Sequence, residues 1–156
     1  MRGKQAPKRV LQPDEKYRSV TVAKLVNYVM KDGKKVTAEK VVYDAFDIIS
    51  KKTKQNPLEV FETAMKNIAP NVEVRSRRVG GANYQIPTPV RGERRSTLAL
   101  RWMLTVVRAK KGKPMAQKLS TEIIAAAEGE GEAIKKKQDV QRMADANRAF
   151  AHFARR

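Results

Sequence analysis

The chain has 156 residues, 41% hydrophobic and 32% charged, which fits one globular domain long enough to bury a core. It has no cysteine, which excludes disulfides, thiol chemistry and sulfur-ligated zinc, and no stretch nears the ~18 uncharged apolar residues of a membrane span. Against 16 acidic residues stand 34 basic ones, a net charge of +18 where solubility alone asks for about 2–8, so a polyanion, most simply a nucleic acid, is the implied partner.

Residues 1–18 lack periodicity and carry Pro7 and Pro13 among six basic and two acidic residues, which reads as a mobile basic arm. Met1 to Gln5 contains no apolar region of a secretory signal, so a reducing cytosol is the expected address. Val22, Leu25, Val26 and Val29 predict a first helix over 20–32, with Gly33 as its stop and Lys24 and Lys31 on the opposite face. A second helix is expected from Thr37, as N-cap, to about Lys52, with Val41, Val42, Ala45, Phe46 and Ile49 inward. Asn56, Pro57 and Glu59 write the start of a third, which Pro70 ends.

The period then changes from helical to alternating. Residues 72–79 and 84–90 flank Gly80-Gly81-Ala82-Asn83, which predicts a β-hairpin with a four-residue turn. Pro87 and Pro89 share a parity, so both missing N–H groups can face away from the partner strand. A two-stranded ribbon is marginal alone in water, so something outside the core should steady it. Arg75, Arg77 and Arg78 line the ribbon, and Tyr84 either offers a ring for base stacking or packs across the strands on Val79.

A fourth helix is expected over 92–110, with Arg94, Arg101 and Arg108 on one line and Ala99, Met103, Val106 and Val107 opposite. Leu100 and Trp102 flank the apolar arc, and Trp102 is expected in the core. Arg91, Arg94 and Arg95 crowd its first turn, where cations oppose the helix dipole unless an external phosphate sits there. After Lys110-Lys111-Gly112-Lys113-Pro114 comes a fifth helix over 115–128, with Leu119, Ile123 and Ala127 inward. A sixth over 132–153 has Val140, Met143, Ala146 and Phe150 inward. The fold class is therefore mainly α: one domain of about six helices at 19–156, with a β-ribbon inserted at about 72–90 and a basic arm at 1–18.

Charge concentrates where the ribbon meets the fourth helix. Residues 75–118 hold twelve basic side chains and one acid, Glu93, for a net +11. Catalytic patterns are missing: there is no phosphate-binding glycine loop, and the single histidine, His152, falls on an outward face. No enzyme activity, cofactor, metal, membrane or small-molecule substrate is expected.

Glu73-Val74-Arg75-Ser76-Arg77-Arg78-Val79-Gly80-Gly81, Tyr84-Gln85-Ile86-Pro87 and Leu98-Ala99-Leu100-Arg101-Trp102 closely resemble the bacterial small-subunit ribosomal protein seven family. So do Gly33-Lys34-Lys35 and the run from Met143 to His152. The resemblance implies a primary binder of the 3′ major domain of 16S rRNA that nucleates head assembly. It further implies a place near the exit-site tRNA and the mRNA path, beside small-subunit proteins nine and eleven. Family rRNA contacts fall on Lys8, Arg9, Lys34, Lys35, Arg75, Arg77, Arg94, Arg95, Lys113 and Met115. The basic surface extends the expected set to Arg2, Lys4, Lys24, Lys31, Arg78, Arg91, Arg101, Arg108, Lys110, Lys111 and Lys118. Gly80, Gly81, Ala82, Asn83, Tyr84, Arg142 and Arg148 are expected to face tRNA or mRNA. A translational repressor binding its own operon mRNA is an alternative function. A DNA-binding regulator is another, although a plain arginine stripe suits phosphates better than bases.

Overall fold

Apolar residues at helical spacing build α1 (Val20–Val29), α2 (Lys35–Thr53), α3 (Pro57–Ile68), α4 (Glu93–Ala109), α5 (Met115–Ala127) and α6 (Glu132–Ala146). Between α3 and α4 runs a ribbon of β1 (Val72–Val79) and β2 (Ala82–Pro89), and a 3-10 helix (Arg148–Arg155) follows α6. The structure is a computed structural model, and it describes residues 3, 6, 7 and 10–155. The mainly α class with one hairpin holds.

Helix α5 is the hub, packed against α2, α3, α4 and α6. Its Leu119, Ile123 and Ala126 meet Phe46, Ile49, Phe61, Ile68, Leu100 and Met103 in one core, each fully buried. Removing a side chain of the Leu or Phe class from water contributes roughly 1.5–3 kcal/mol, so this cluster fixes the helix arrangement. Trp102 packs against the core from its edge and stays half-buried.

Two boundaries near the N-terminus differ from expectation. Helix α1 ends at Val29 rather than Asp32, and Asp32 and Gly33 both take positive φ, 54° and 71°. That left-handed pair, closed by Lys34 N–H donating to Lys31 O at 3.0 Å, delivers the chain into α2 at Lys35. Thr37 therefore lies inside the first turn of α2 and is not its cap; Lys34 holds that position without a side-chain hydrogen bond. The start of α3 is as its sequence predicts, with Asn56 Oδ1 accepting from Leu58 N–H at 3.1 Å and Pro57 next.

The ribbon is tighter than the four-residue turn expected. Val79 pairs with Ala82, so only Gly80 and Gly81, at φ 57° and 90°, form the turn, and Ala82 and Asn83 belong to β2. Positive φ at both central residues is the demand of a two-residue hairpin, and glycine meets it without strain. Val90 N–H donates to Asn71 O, and bonded pairs alternate along an antiparallel ladder. Pro87 opposite Val74 and Pro89 opposite Val72 therefore sit where an N–H would point outward.

The long sixth helix expected to Phe153 stops at Ala146. Asn147 turns its side-chain amide onto Met143 O at 2.8 Å, and the chain tightens into the 3-10 helix against β2. Three-residue winding stacks Phe150 and Phe153 on one face, 5.1 and 5.8 Å from the Tyr84 ring. This is the support that the ribbon requires, together with α6 against β1. The buried stripe of α6 is Ala133, Ile134, Val140 and Ala144, while Met143 is exposed and Ala146 lies outward. Lys137 occupies the inward line of that stripe, which hides the phase from a reading of apolar residues alone.

The chain docks at Asp14 and Tyr17 before it reaches α1. Asp14 is buried; its carboxylate accepts from Tyr17 N–H and from the Tyr43 hydroxyl at 2.9 Å, while Tyr17 packs edge-on against Phe46. Burial, followed by the hydrogen bond to Asp14, pushes the Tyr43 pKa up to about 12. A tyrosine with a folded pKa above its unfolded value, about 10, stabilises fully below that value and loses the contribution as pH rises toward the folded one. Urea unfolding should thus show stability falling from pH ~10 to ~12. Tyr43→Phe should flatten that fall and lower stability at neutral pH by about 1 kcal/mol; an unchanged slope would contradict the assignment.

Candidate nucleic-acid interface

Helix α4 is amphipathic, so its buried Leu98, Ala99, Leu100, Met103, Leu104 and Val107 fix which face turns outward. That outward face carries Arg94, Arg101 and Arg108, all exposed, as the spacing predicts. Its internal contacts divide the three. Arg94 donates through Nε and Nη2 to Glu73 Oε2 at 3.1 and 2.9 Å. Arg108 donates to Tyr28 O at 2.9 Å, at the C-terminal end of α1. Arg101 has no side-chain partner among the described residues.

The same division runs through the rest of the expected contacts. Arg78, Arg91, Lys31, Lys34, Lys111, Lys113 and Arg148 are exposed and make no side-chain hydrogen bond or ion pair with a described residue. Others are partly committed to the fold. Arg75 shares the Glu73 carboxylate with Arg94. Arg95 Nε donates to Pro70 O at 3.1 Å, just past the end of α3. Lys24 pairs with Glu93 at 3.3 Å and Lys35 with Glu39 at 3.4 Å. Arg77 donates to Phe153 O, and Arg142 pairs with Asp139.

Lys110, Lys118 and Met115 are corrections to a purely RNA-facing reading. Lys110 Nζ lies 2.5 Å from Oε2 of Glu122, whose side chain is only 1% exposed. Lys118 Nζ donates to Lys110 O at 2.7 Å, and Met115 packs against the core. The other Glu122 oxygen accepts from Ala133 N–H at 2.8 Å, so this one carboxylate ties the end of α4 to the first turn of α6. A buried carboxylate is tolerated only when paired and hydrogen-bonded in this way.

At the ribbon tip Gly80, Gly81, Ala82 and Asn83 are exposed, but Tyr84 is half-buried under Phe150 and Phe153. It is not open for base stacking, because the 3-10 helix covers its ring. Arg2, Lys4, Lys8 and Arg9 lie outside the described residues. His152 is exposed, as expected, with Nδ1 at 2.8 Å from Ala149 O.

The structure also gathers residues that are far apart in sequence. A cleft of about 390 Å³ between α1, α2, α4 and α5 has Met30, Val41 and Met115 among its apolar lining and Lys31, Lys34, Arg108 and Lys118 among its cations. Cations around an apolar floor suit a phosphate with a base beneath it. At the start of α4, negative charge comes from Glu93 in the first turn and from Glu73 on Arg94, so an external phosphate is not needed to offset the crowded arginines.

Glu73, Glu122 and Lys137 are the residues that sequence reasoning missed. Lys137 Nζ donates to Asn67 O at 2.6 Å; burial, then the nearby Arg95 charge, lowers its pKa. The available signal was an acid, Glu73, at the edge of a run of twelve cations. Among the described residues no group of three or more His, Cys, Asp or Glu could hold a metal, and no helix is long and apolar enough to cross a membrane.

Residues 1–148 match the family described as ribosomal protein S7p/S5e. The chain is 59% identical over 153 residues to the small ribosomal subunit protein uS7 of Thermotoga maritima, covering 98% of this chain and 99% of that one. It is 57% identical over 147 residues to the protein of that name from Pelotomaculum thermopropionicum, with 94% of each chain covered. With that of Polynucleobacter asymbioticus it shares 55% over 152 residues, 97% of each.

The division between free and committed cations is measurable. Arg101→Ala should leave stability within about 0.5 kcal/mol, as for surface changes without partners. Lys110→Ala should lower it by about 2–3 kcal/mol, less than the full penalty of a broken buried pair because Lys110 is itself partly exposed. Equal effects in urea unfolding would contradict the division.

Proposed function

The chain belongs to the ribosomal protein S7p/S5e family, and on that premise we propose that it is a structural RNA-binding protein of the small ribosomal subunit. In this reading it is a primary binder of the 3′ major domain of 16S rRNA and nucleates assembly of the subunit head. It then lies near the exit-site tRNA and the mRNA path, with small-subunit proteins nine and eleven as neighbours.

The observation that carries the proposal is the net +11 of residues 75–118, spread over the ribbon, α4 and the loop after it. Arg78, Arg91, Arg101, Lys111 and Lys113 project from that segment, and Lys31 and Lys34 join them across the cleft. A-form RNA offers such a surface phosphates and 2′-hydroxyls rather than base edges, which suits forked guanidinium donors. Arg75, Arg94 and Arg95 contribute through the N–H groups that their internal bonds leave over, and Arg77 adds its charge on the same strand as Arg75. The small tip residues Gly80 and Gly81 can approach an RNA backbone closely, and Arg142 on α6 and Arg148 at the start of the 3-10 helix belong to the elements that pack on the ribbon.

Binding of this kind is governed by counterion release. If about eight phosphates are neutralised, log K for a 3′ major domain transcript should fall against log salt with a slope of roughly −6 to −7. A slope shallower than about −2 would contradict a multi-site phosphate contact.

A further inference from the structure

We infer that Glu73, an acid at the root of the ribbon, is a positioning residue for RNA binding: it sets Arg75 and Arg94 as one rigid pair of forks. The inference rests on the RNA-binding reading above and deepens it. Elementary electrostatics assigns Glu73 the opposite role, since a carboxylate inside a basic surface repels phosphate.

The geometry favours the positioning role. The Glu73 side chain is 9% exposed, while those of Arg75 and Arg94 are 58% and 43% exposed, so the acid lies beneath and the cations above. Oε1 accepts from Arg75 Nε and is ion-paired with its Nη2, and Oε2 accepts from Arg94 through both Nε and Nη2. Both oxygens are therefore consumed inward. A guanidinium has five N–H donors, and Glu73 takes two from Arg94 and at most two from Arg75, leaving at least three on each for an external ligand.

The arrangement removes two obstacles to binding at once. Without an anion between them, two guanidiniums this close repel, and each side chain samples many rotamers that must be frozen on binding. Glu73 offsets the repulsion and fixes both rotamers before the ligand arrives, leaving a net +1 on the triad and two planar forks. Planar forks match the paired oxygens of phosphate. The anchor is stiff because Glu73 sits in the ladder opposite Thr88, whose hydroxyl donates to Glu73 O at 3.3 Å, and Arg94 belongs to the first turn of α4. One carboxylate thus locks the angle of the ribbon root to the helix that carries the arginine stripe.

The test uses the full chain, a transcript of the 3′ major domain of 16S rRNA and an unrelated RNA duplex, at one salt concentration. Glu73→Gln keeps the shape and removes the charge. It should weaken binding to the transcript by about tenfold, the scale of one charge-assisted contact, while binding to the duplex holds or tightens. In a background of Arg75→Ala with Arg94→Ala the same change should have no further effect on transcript binding. Glu73→Asp, which keeps the charge on a shorter stem, should fall between parent and Glu73→Gln, and it carries the comparison if Glu73→Gln does not fold. A parent that prefers the transcript, with a Glu73→Gln or Glu73→Asp chain that binds it as tightly or more tightly, overturns this inference alone. A parent that does not distinguish transcript from duplex overturns the RNA-binding reading and the inference with it.

Discussion

Like-charge repulsion is the constraint on which the basic half of the molecule depends. Twelve cations and one acid between positions 75 and 118 oppose any compact arrangement of the ribbon, α4 and the following loop. The fold answers with two buried carboxylates from outside that segment. Glu73 grips Arg94 in the first turn of α4, and Glu122 grips Lys110 just past its last. Glu73 also holds Arg75 on its own strand, and Glu122 also reaches the start of α6. Helix α4 is pinned at both ends, and the exposed face that carries Arg101 has a fixed direction.

Backbone carbonyls complete the work of the carboxylates. Arg108 donates at the end of α1, Arg95 just beyond α3, and Lys137 near the end of α3. Helix C-termini carry partial negative charge and orphan carbonyls, so a cation placed there satisfies both. Among the described residues, several of the cations read as RNA contacts from sequence thus also join one element to another. Those with no internal partner among the described residues, such as Arg101, Lys111 and Lys113, are the ones that the proposed RNA contact would engage.

Much of this was legible in residue order, and the limits have one physical origin. Helix existence, the Asn56-Pro57 start, the parity of Pro87 and Pro89, and the direction of the arginine stripe are local facts, set by period, capping and backbone chemistry. The family resemblance in Glu73 to Gly81 is equally local, and the family match bears it out. What could not be read is decided between residues distant in sequence. The sixth helix breaks at Asn147 because Phe150 and Phe153 have a partner in Tyr84, more than sixty residues upstream. The same contact removes Tyr84 as an open ring. Lys110 reads as a loop cation until Glu122 is placed beneath it, and Lys137 reads as surface until its ammonium meets Asn67 O.

Modification footprinting of the lysines tests most directly the proposal that the surface carrying Lys34, Lys111 and Lys113 makes the RNA contact. Helix α2 has 19 residues, so its two ends lie roughly 28 Å apart, with Lys34 at one and Lys51, Lys52 and Lys54 at the other, all exposed. The chain would be acetylated free and in complex with a 3′ major domain transcript, and each lysine followed by mass spectrometry. Protection of Lys34, Lys111 and Lys113, with Lys51, Lys52 and Lys54 still reactive, is the predicted result. Uniform protection across both ends of α2, or protection at Lys51, Lys52 and Lys54 alone, would contradict it.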